Sequence, residues 1–381
     1  MELTKRQMRE SWERDRRAAR RRYALAGAAA LAVFLSCLCV RYNAYYYEEK
    51  FVPLQNLRGY GLALRLLWGR IAHGAAQGQA AIEAFGSIAY YGALARLRIT
   101  LVAFVSGAAL ALSGAIFQTA YRNPMASPNI IGAAAGVDLG NVLVVTLCSA
   151  QAYENILLRY RFCYGLTVLC VGLVFLLGRI GGVKRGSRGV MEMVMAGAVV
   201  SQIIRVFSMY FMYELPEEDL LLYQEISLGT YPDTGAVSMA VFFGVMLISA
   251  VPVVLMRWRL NALGMDETEA AAAGVRAGGL RITAQICGVM MVTCSMIHCG
   301  EIGMLSLVVP YIVRRRFGAD FRHQCVFSAL IGGTLLMACN LAASFVYIAD
   351  TPLPVTFVIE LVLAPAFLLI LARERRDTDE I

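Results

Sequence analysis

The chain has 381 residues, of which 59% are hydrophobic and 16% charged, with a formal net charge of +8 and a mean hydropathy of +0.60. Soluble domains carry roughly 45–50% apolar and about 25% charged residues, so the composition points to lipid. The positive side chains fall between apolar runs rather than on one basic surface, which argues against a soluble nucleic-acid binder and fits Lys and Arg held on the inner side of a membrane.

An Arg-rich stretch holding Lys5, Arg6, Arg9, Arg14, Arg16, Arg17, Arg20, Arg21 and Arg22 precedes the first apolar run, Tyr23 to Val40. No small-residue cleavage site follows Val40, so the run reads as an uncleaved span, with residues 1–22 a basic cytoplasmic segment. The connection 41–96 reads as extracytoplasmic, with an amphipathic or partly buried helix over Pro53 to Ile71. Further runs cover Leu97–Ala120, Pro128–Leu147, Tyr160–Leu177, Met191–Tyr213, Gly235–Met256, Ile282–His298, Ile302–Val313, Cys325–Ile348 and Val355–Ala372. Since about 20 helical residues cross roughly 30 Å of hydrocarbon, the expectation is an all-α polytopic protein of about ten transmembrane helices. They form one membrane domain over 23–372, followed by a cytoplasmic tail at 373–381. The run ending near Pro310 is short and reads as a re-entrant segment or a short helix packed inside the bundle.

Counting spans from an internal N-terminus puts the basic segments at Lys184 to Arg188, Arg257 to Arg281, Arg314 to Arg322 and Arg373 to Arg376 all inside. The connection from Glu214 to Glu225 is acidic, without Lys or Arg, and falls outside. Cys37, Cys39, Cys163, Cys170, Cys287, Cys294 and Cys339 lie in apolar runs, where they fit packing better than a disulfide framework. His73, His298 and His323 are far apart in the chain, and His298–Cys299 alone makes no tetrahedral site, so no metal is expected. No phosphate-binding loop or hydrolase signature is present. The chain therefore reads as no enzyme, with no cofactor of its own, and any ATP is bound by another subunit.

Gly107, Gly114, Gly132 and Gly136 sit in helical apolar context, where small residues allow helices to approach closely. Tyr121 to Pro128 holds two prolines that end one helix and restart another. Leu263 to Glu269 opens an Ala-rich stretch reaching Gly274, which reads as one or two short cytoplasmic helices able to dock a partner. Asp138 and Glu360 are carboxylates inside apolar runs, and serve either polar packing or a hydrated translocation surface.

These segments resemble the permease family of bacterial ATP-driven importers for iron–siderophore complexes, haem and cobalamin (type II ABC importers), over Pro53 to about Ala372. The resemblance is carried by Gly107–Gly114 continuing through Gln118 and Arg122-Asn123-Pro124-Met125-Ala126-Ser127-Pro128, with Gly132 beyond. It is carried also by Asn261–Gly264 through Ala273-Gly274-Val275, by Gly300-Glu301-Ile302-Gly303 through Pro310, and by Leu353-Pro354 with Ala364-Pro365. It implies a homodimer of ten-helix permeases around a central route in the bacterial cytoplasmic (inner) membrane, both termini cytoplasmic. Two ATPase subunits holding ATP and magnesium would lie below, and an extracytoplasmic substrate-binding protein above. Leu263, Gly264, Glu267, Ala271, Ala273, Gly274 and Val275, within coupling helices at about 261–280, would meet the ATPase, and Arg96 and Arg98 the binding protein. Arg98 and Ile99 depart from the family's basic-apolar-Pro-basic pattern, Tyr311 and Ser306 replace its histidine and a glycine, and Glu360 and Leu363 stand where small or polar residues are usual. The implied function is import of an iron–siderophore complex by alternating access. Haem or cobalamin import, an ion-coupled secondary transporter, a membrane enzyme and a membrane scaffold are the alternatives.

Overall fold

The computed structural model describes residues 2–39, 87–153, 155–180, 187–228, 235–265, 267–272, 274–348 and 351–379. The expected helix over Pro53–Ile71 and the basic loop residues Lys184 and Arg185 lie outside the described residues. In chain order the helices are α1 (Glu2–Cys39), α2 (Ser87–Tyr121), α3 (Ala133–Tyr153), α4 (Ile156–Ile180), α5 (Ser187–Tyr213), α6 (Glu217–Ser227) and α7 (Ala236–Leu260). There follow α8 (Glu267–Ala272), α9 (Ala277–Cys299), α10 (Met304–Phe317), α11 (Phe321–Ala343) and α12 (Val355–Asp379). Two 3₁₀ turns, Pro128–Ile131 and Asn261–Gly264, precede α3 and α8. The only strands among the described residues are two residues each, Tyr347–Ile348 against Thr351–Pro352.

Among the described residues seven helices are long and apolar enough to cross a membrane, and shorter apolar stretches in α3 (Ala133–Cys148) and α12 (Val355–Ile370) join them. Their outward faces carry Leu31, Leu247, Leu255, Leu361 and Leu369, all more than half exposed, as lipid contact requires. The short run near Pro310 forms α10, 14 residues packed within the bundle. Several boundaries differ from the sequence reading: α2 begins at Ser87, inside the connection expected over 41–96, α12 continues to Asp379, and the run Cys325–Ile348 is helical only to Ala343, its last residues entering the small ribbon. An apolar run alone does not separate a helix end from a strand. The coupling region likewise stops earlier, because α9 begins at Ala277.

The centre of the bundle is α2, buried over 78% of its apolar span, with α9, α10 and α11 against it. Glycines make this possible. A Cβ on Gly107 would collide with the Gly332 carbonyl, one on Gly136 would lie 2.6 Å from Thr167 Cα, and one on Gly140 2.6 Å from Cys163 Cα. Gly132 works differently from the other three motif glycines: at φ 86° it ends the Pro128–Ile131 turn in the left-handed region, which costs a residue with a side chain about 1–2 kcal/mol.

At Gly114 two sequence features explain each other. Pro310 lies inside α10 and has no N–H for the Ser306 carbonyl one turn earlier, so that carbonyl is left outside the helix ladder. A Cβ on Gly114 would occupy the position of that Ser306 oxygen. Nearby, Gln118 Nε2 donates to the Leu307 carbonyl at 2.9 Å. Thus α2 covers the disturbed stretch of α10.

Gly114→Val should therefore lower the thermal stability of the detergent-purified protein by about 2 kcal/mol or more, as overpacking does. Gly165→Ala, with open space around it, should leave the melting temperature within error, measured side by side by thermal unfolding.

Candidate functional site

The turn 121–128, the segment 261–276 and the turn 318–320 lie at one face of the bundle, called here the platform face. Its centre is the 3₁₀ turn Asn261–Gly264 followed by α8. Leu260, Leu263 and Ala270 are buried (1%, 1% and 0% exposed) and root the segment, whereas Gly264, Met265 and Gly274 are exposed. Behind α8 the chain closes as a Schellman turn: Val275 N donates to Ala270 O at 2.9 Å, and Gly274 has φ 74°. A glycine at this left-handed position lets the orphan carbonyls of α8 be satisfied without Cβ strain.

Two polar pins hold the segment. On one side Arg122, at φ 51°, donates from Nε to the Leu263 carbonyl at 3.0 Å and from Nη2 to the Met265 carbonyl. Asn123 Oδ1 accepts from Met125 N at 2.9 Å and shapes the turn that presents Arg122. On the other side Asn261 Nδ2 donates to Asp320 Oδ1 at 2.9 Å, and Asn261 Oδ1 accepts from Phe321 N at 2.6 Å. Asp320 caps α11 through Arg322 N at 2.9 Å and also receives Arg322 Nε at 2.8 Å. The Arg322 guanidinium lies 4.1 Å from the Trp258 ring centre. Asp320 is thereby held below the usual carboxylate range, chiefly by the Arg322 hydrogen bonds and also by the Asn261 amide, with burial opposing. The same face receives α1, where Tyr23 hydrogen-bonds His323 and stacks on Phe327 at 4.4 Å.

At the opposite face the elbow Gly300–Gly303 joins α9 to α10. Glu301 pairs with Arg205 of α5 at 3.0 Å, and its N–H reaches the Ser227 carbonyl of α6 at 3.4 Å. Glu360 of α12 accepts from Met304 N, the first residue of α10, at 3.2 Å, a favourable place for a carboxylate at a helix N-terminus. Thr356 Oγ1 donates to Leu228 O at 2.8 Å. Asp138 accepts from Tyr223 of α6. Deeper in, Tyr160 OH lies 2.8 Å from His298 Nε2, and Arg159 Nε donates to Asn141 Oδ1 at 3.0 Å.

The four motif segments meet around α10 and the platform. Asn123, Pro124 and Pro128 form the turn carrying Arg122; Gly107 and Gly114 seat α11 and α10; Gly300 (φ 72°) and Gly303 form the elbow. Pro354 precedes α12, where its carbonyl accepts from Phe357 N at 3.1 Å, and Pro365 lies inside that helix. Of the expected coupling residues, Leu263 lies beneath the surface, Gly264 and Gly274 are exposed and Val275 is half-buried. The backbones of Glu267 and Ala271 belong to α8, and Ala273 lies outside the described residues. Arg96 requires a correction: it is 2% exposed, donating from Nε to the Cys37 carbonyl and from Nη2 to Ser344 Oγ, each at 3.2 Å. This guanidinium joins α1, α2 and α11 inside the chain and is not presented to a second protein. Arg98 is half-buried.

Sequence reasoning missed the roles of Arg122, Arg205, Asn261, Glu301 and Asp320, and it missed α6 altogether. Two signals were available. Pro216 followed by Glu217, Glu218 and Asp219 is a helix start with acidic residues in its first turn. Asp320 before an apolar run is an N-cap.

The described residues thus form a multi-span all-α membrane bundle with a polar platform at one face. The FecCD transport family model matches residues 64–373, and the chain belongs to that family, as the permease component of an ABC-type importer distinct from its ATPase subunit. Among its relatives, the molybdate import system permease protein MolB of Haemophilus influenzae is 28% identical over 274 residues, covering 71% of this chain and 78% of that protein. The hemin transport system permease protein HmuU of Yersinia pestis is 26% identical over 282 residues, with 74% and 83% covered. A solved structure described as an inward-facing metal-chelate type ABC transporter aligns with a TM-score of 0.64 at 23% identity, covering 84% of this chain and 99% of that one. That likeness is one of fold.

Asp320→Ala should cost about 0.5–2 kcal/mol, the range for a lost N-cap. Because the folded-state pKa lies below the ordinary value of about 3.9, the contribution is present above that value and is lost as pH falls through the folded one. The difference in melting temperature between parent and variant should therefore stay flat from pH 8 to pH 5 and shrink only at more acidic pH.

Proposed function

We propose that this chain is the translocating subunit of an ATP-driven importer of a ferric chelate, acting as a homodimer with two ATPase subunits at the platform face and a substrate-binding protein at the opposite face. The observation that carries it is the doubly pinned segment Asn261–Val275: a short exposed helix fixed to the turn before α3 by Arg122 and to the turn before α11 by Asn261 and Asp320. A lone loop would absorb a push from a partner. A segment tied to two membrane helices passes it on.

In this reading the platform face, which also receives the basic end of α1, is cytoplasmic, and both termini with it, in the bacterial cytoplasmic membrane. Gly264, Glu267, Ala271, Ala273, Gly274 and Val275 contribute to the ATPase-facing surface, with Leu263 as its buried root, and Arg98 stands nearest to the binding protein. ATP and magnesium belong to the ATPase subunits, whose closure biases the permease between two states, while a loaded binding protein biases it from the other side. Asp138 and Glu360 border the route while bound to Tyr223 and to Met304 N. The hemin permease among the relatives keeps haem as a second cargo reading.

The test is uptake into proteoliposomes holding the permease with its ATPase and binding protein, using ferric chelates, haem, cobalamin and molybdate as probes. ATP-dependent accumulation of a ferric chelate is the expected result, and transport without any ATPase would replace the reading with a secondary transporter. In the same vesicles Arg122→Ala should cut cargo-stimulated ATP hydrolysis about tenfold, within the usual range of coupling free energies, with basal hydrolysis by the ATPase retained.

A further inference from the structure

The contacts at the elbow form a closed loop of polar links through the elbow, α6, α12 and the start of α10, with α5 attached to it through Arg205. Arg205 joins α5 to the elbow, Glu301 N joins the elbow to the end of α6, Thr356 joins α6 to α12, and Glu360 joins α12 back to Met304 at the start of α10. Arg205 is eight residues before Tyr213, about 12 Å inside the helix end at ~1.5 Å per residue, among the exposed apolar Ile203, Val206, Phe207 and Met209. The pair is nevertheless 43% and 39% exposed. Charges open to hydrocarbon at such depth are expensive, and they persist where they face a water-filled route. The non-helical backbone of Gly300–Gly303 beside them obeys the same rule, since irregular backbone at membrane depth must be shielded by protein or line a cavity.

The elbow is also the far end of α10. At 14 residues that helix is about 21 Å long, and its other end runs into the turn that Asp320 ties to Asn261 of the platform. One short helix thus spans from the platform pin to the polar loop.

We infer that the Arg205–Glu301 pair is a latch on the translocation route: it holds the elbow against α5 in a closed clasp, and movement of the platform reaches it through α10. The inference rests on the proposed transport function for its purpose but not for its test. Opening the clasp separates the two charges into water at low cost. With Glu301 neutral or Arg205 uncharged, the closed arrangement loses the ion pair that ties the elbow to α5. Asn129 marks the platform side of the elbow, since a Cβ on Gly303 would lie 3.6 Å from its Nδ2.

The test labels Asn129→Cys with a membrane-impermeant maleimide, applied from the side opposite the platform, in proteoliposomes holding the permease–ATPase complex. The chain without that cysteine sets the background; its described native cysteines are buried or half-buried. Arg205→Gln and Glu301→Gln should each speed labelling about fivefold, the lower end of typical coupling effects, and the charge-swapped pair Arg205→Glu with Glu301→Arg should return it to the parent rate. A non-hydrolysable ATP analogue with magnesium should change the parent rate, and Asp320→Ala should abolish that change. Labelling at the parent rate in both single variants overturns the latch, as does a folded swap variant that labels as fast as they do. A parent rate indifferent to nucleotide overturns the link through α10. If the labelling pattern appears but no cargo accumulates, the latch stands and the importer reading fails.

Discussion

Everything in this bundle is arranged around the stretch of α10 that cannot complete its own hydrogen-bond ladder. In a membrane each unmet backbone group costs several kcal/mol, because no water is available to take it. Pro310 creates such a group at Ser306, and α2 answers with the bare Cα of Gly114 against the Ser306 carbonyl and the Gln118 amide on the next carbonyl. The side chain at 114 must therefore be absent, and α2 and α10 are fixed in register. Gly107 sets the same close approach to α11 one heptad earlier. A central helix gripped at both positions gives the surrounding elements a common reference.

From that reference the two faces differ in kind. Platform contacts are hydrogen bonds in partly exposed positions, with Asp320 about one quarter exposed (28%); individually such bonds are worth roughly 1 kcal/mol, and they resist displacement because several converge on one short segment. The Arg205–Glu301 pair by the elbow is more exposed still, at 43% and 39%, and there a single ion pair rather than a convergence of bonds ties the elbow to α5. Between the two lies α10, a 14-residue helix attached near both ends.

How much of this was legible in the sequence follows from what each signal reports. Hydropathy reports transfer to lipid, so the spans were readable, and α2, α5 and α9 fall where the runs Leu97–Ala120, Met191–Tyr213 and Ile282–His298 put them. It is silent on where a helix stops once apolar residues continue, hence the missed ribbon after Ala343. It is silent too on a helix whose first turn is acidic, hence α6. Gly132 was grouped with the packing glycines because sequence does not display a backbone angle. Arg96 was read as a docking residue from the family resemblance, which carries no burial information, yet an arginine next to the C-terminal carbonyls of α1 is well placed to be buried. Glu360 and Arg205 were separated from their partners by more than fifty residues of chain, a distance that no local pattern bridges.

The same geometry explains why the family can be recognised while the cargo is left open. Gly107, Gly114, Gln118, Arg122, Asn261 and Pro310 are committed to backbone carbonyls, close helix contacts and the turns that support them. Their side-chain chemistry serves how the bundle holds together rather than recognition of a solute. Arg205 and Glu301 instead pair with each other at 3.0 Å in partly exposed positions. Relatives whose names give molybdate and hemin match this chain at 28% and 26% identity, so membership of the family does not fix what this chain carries.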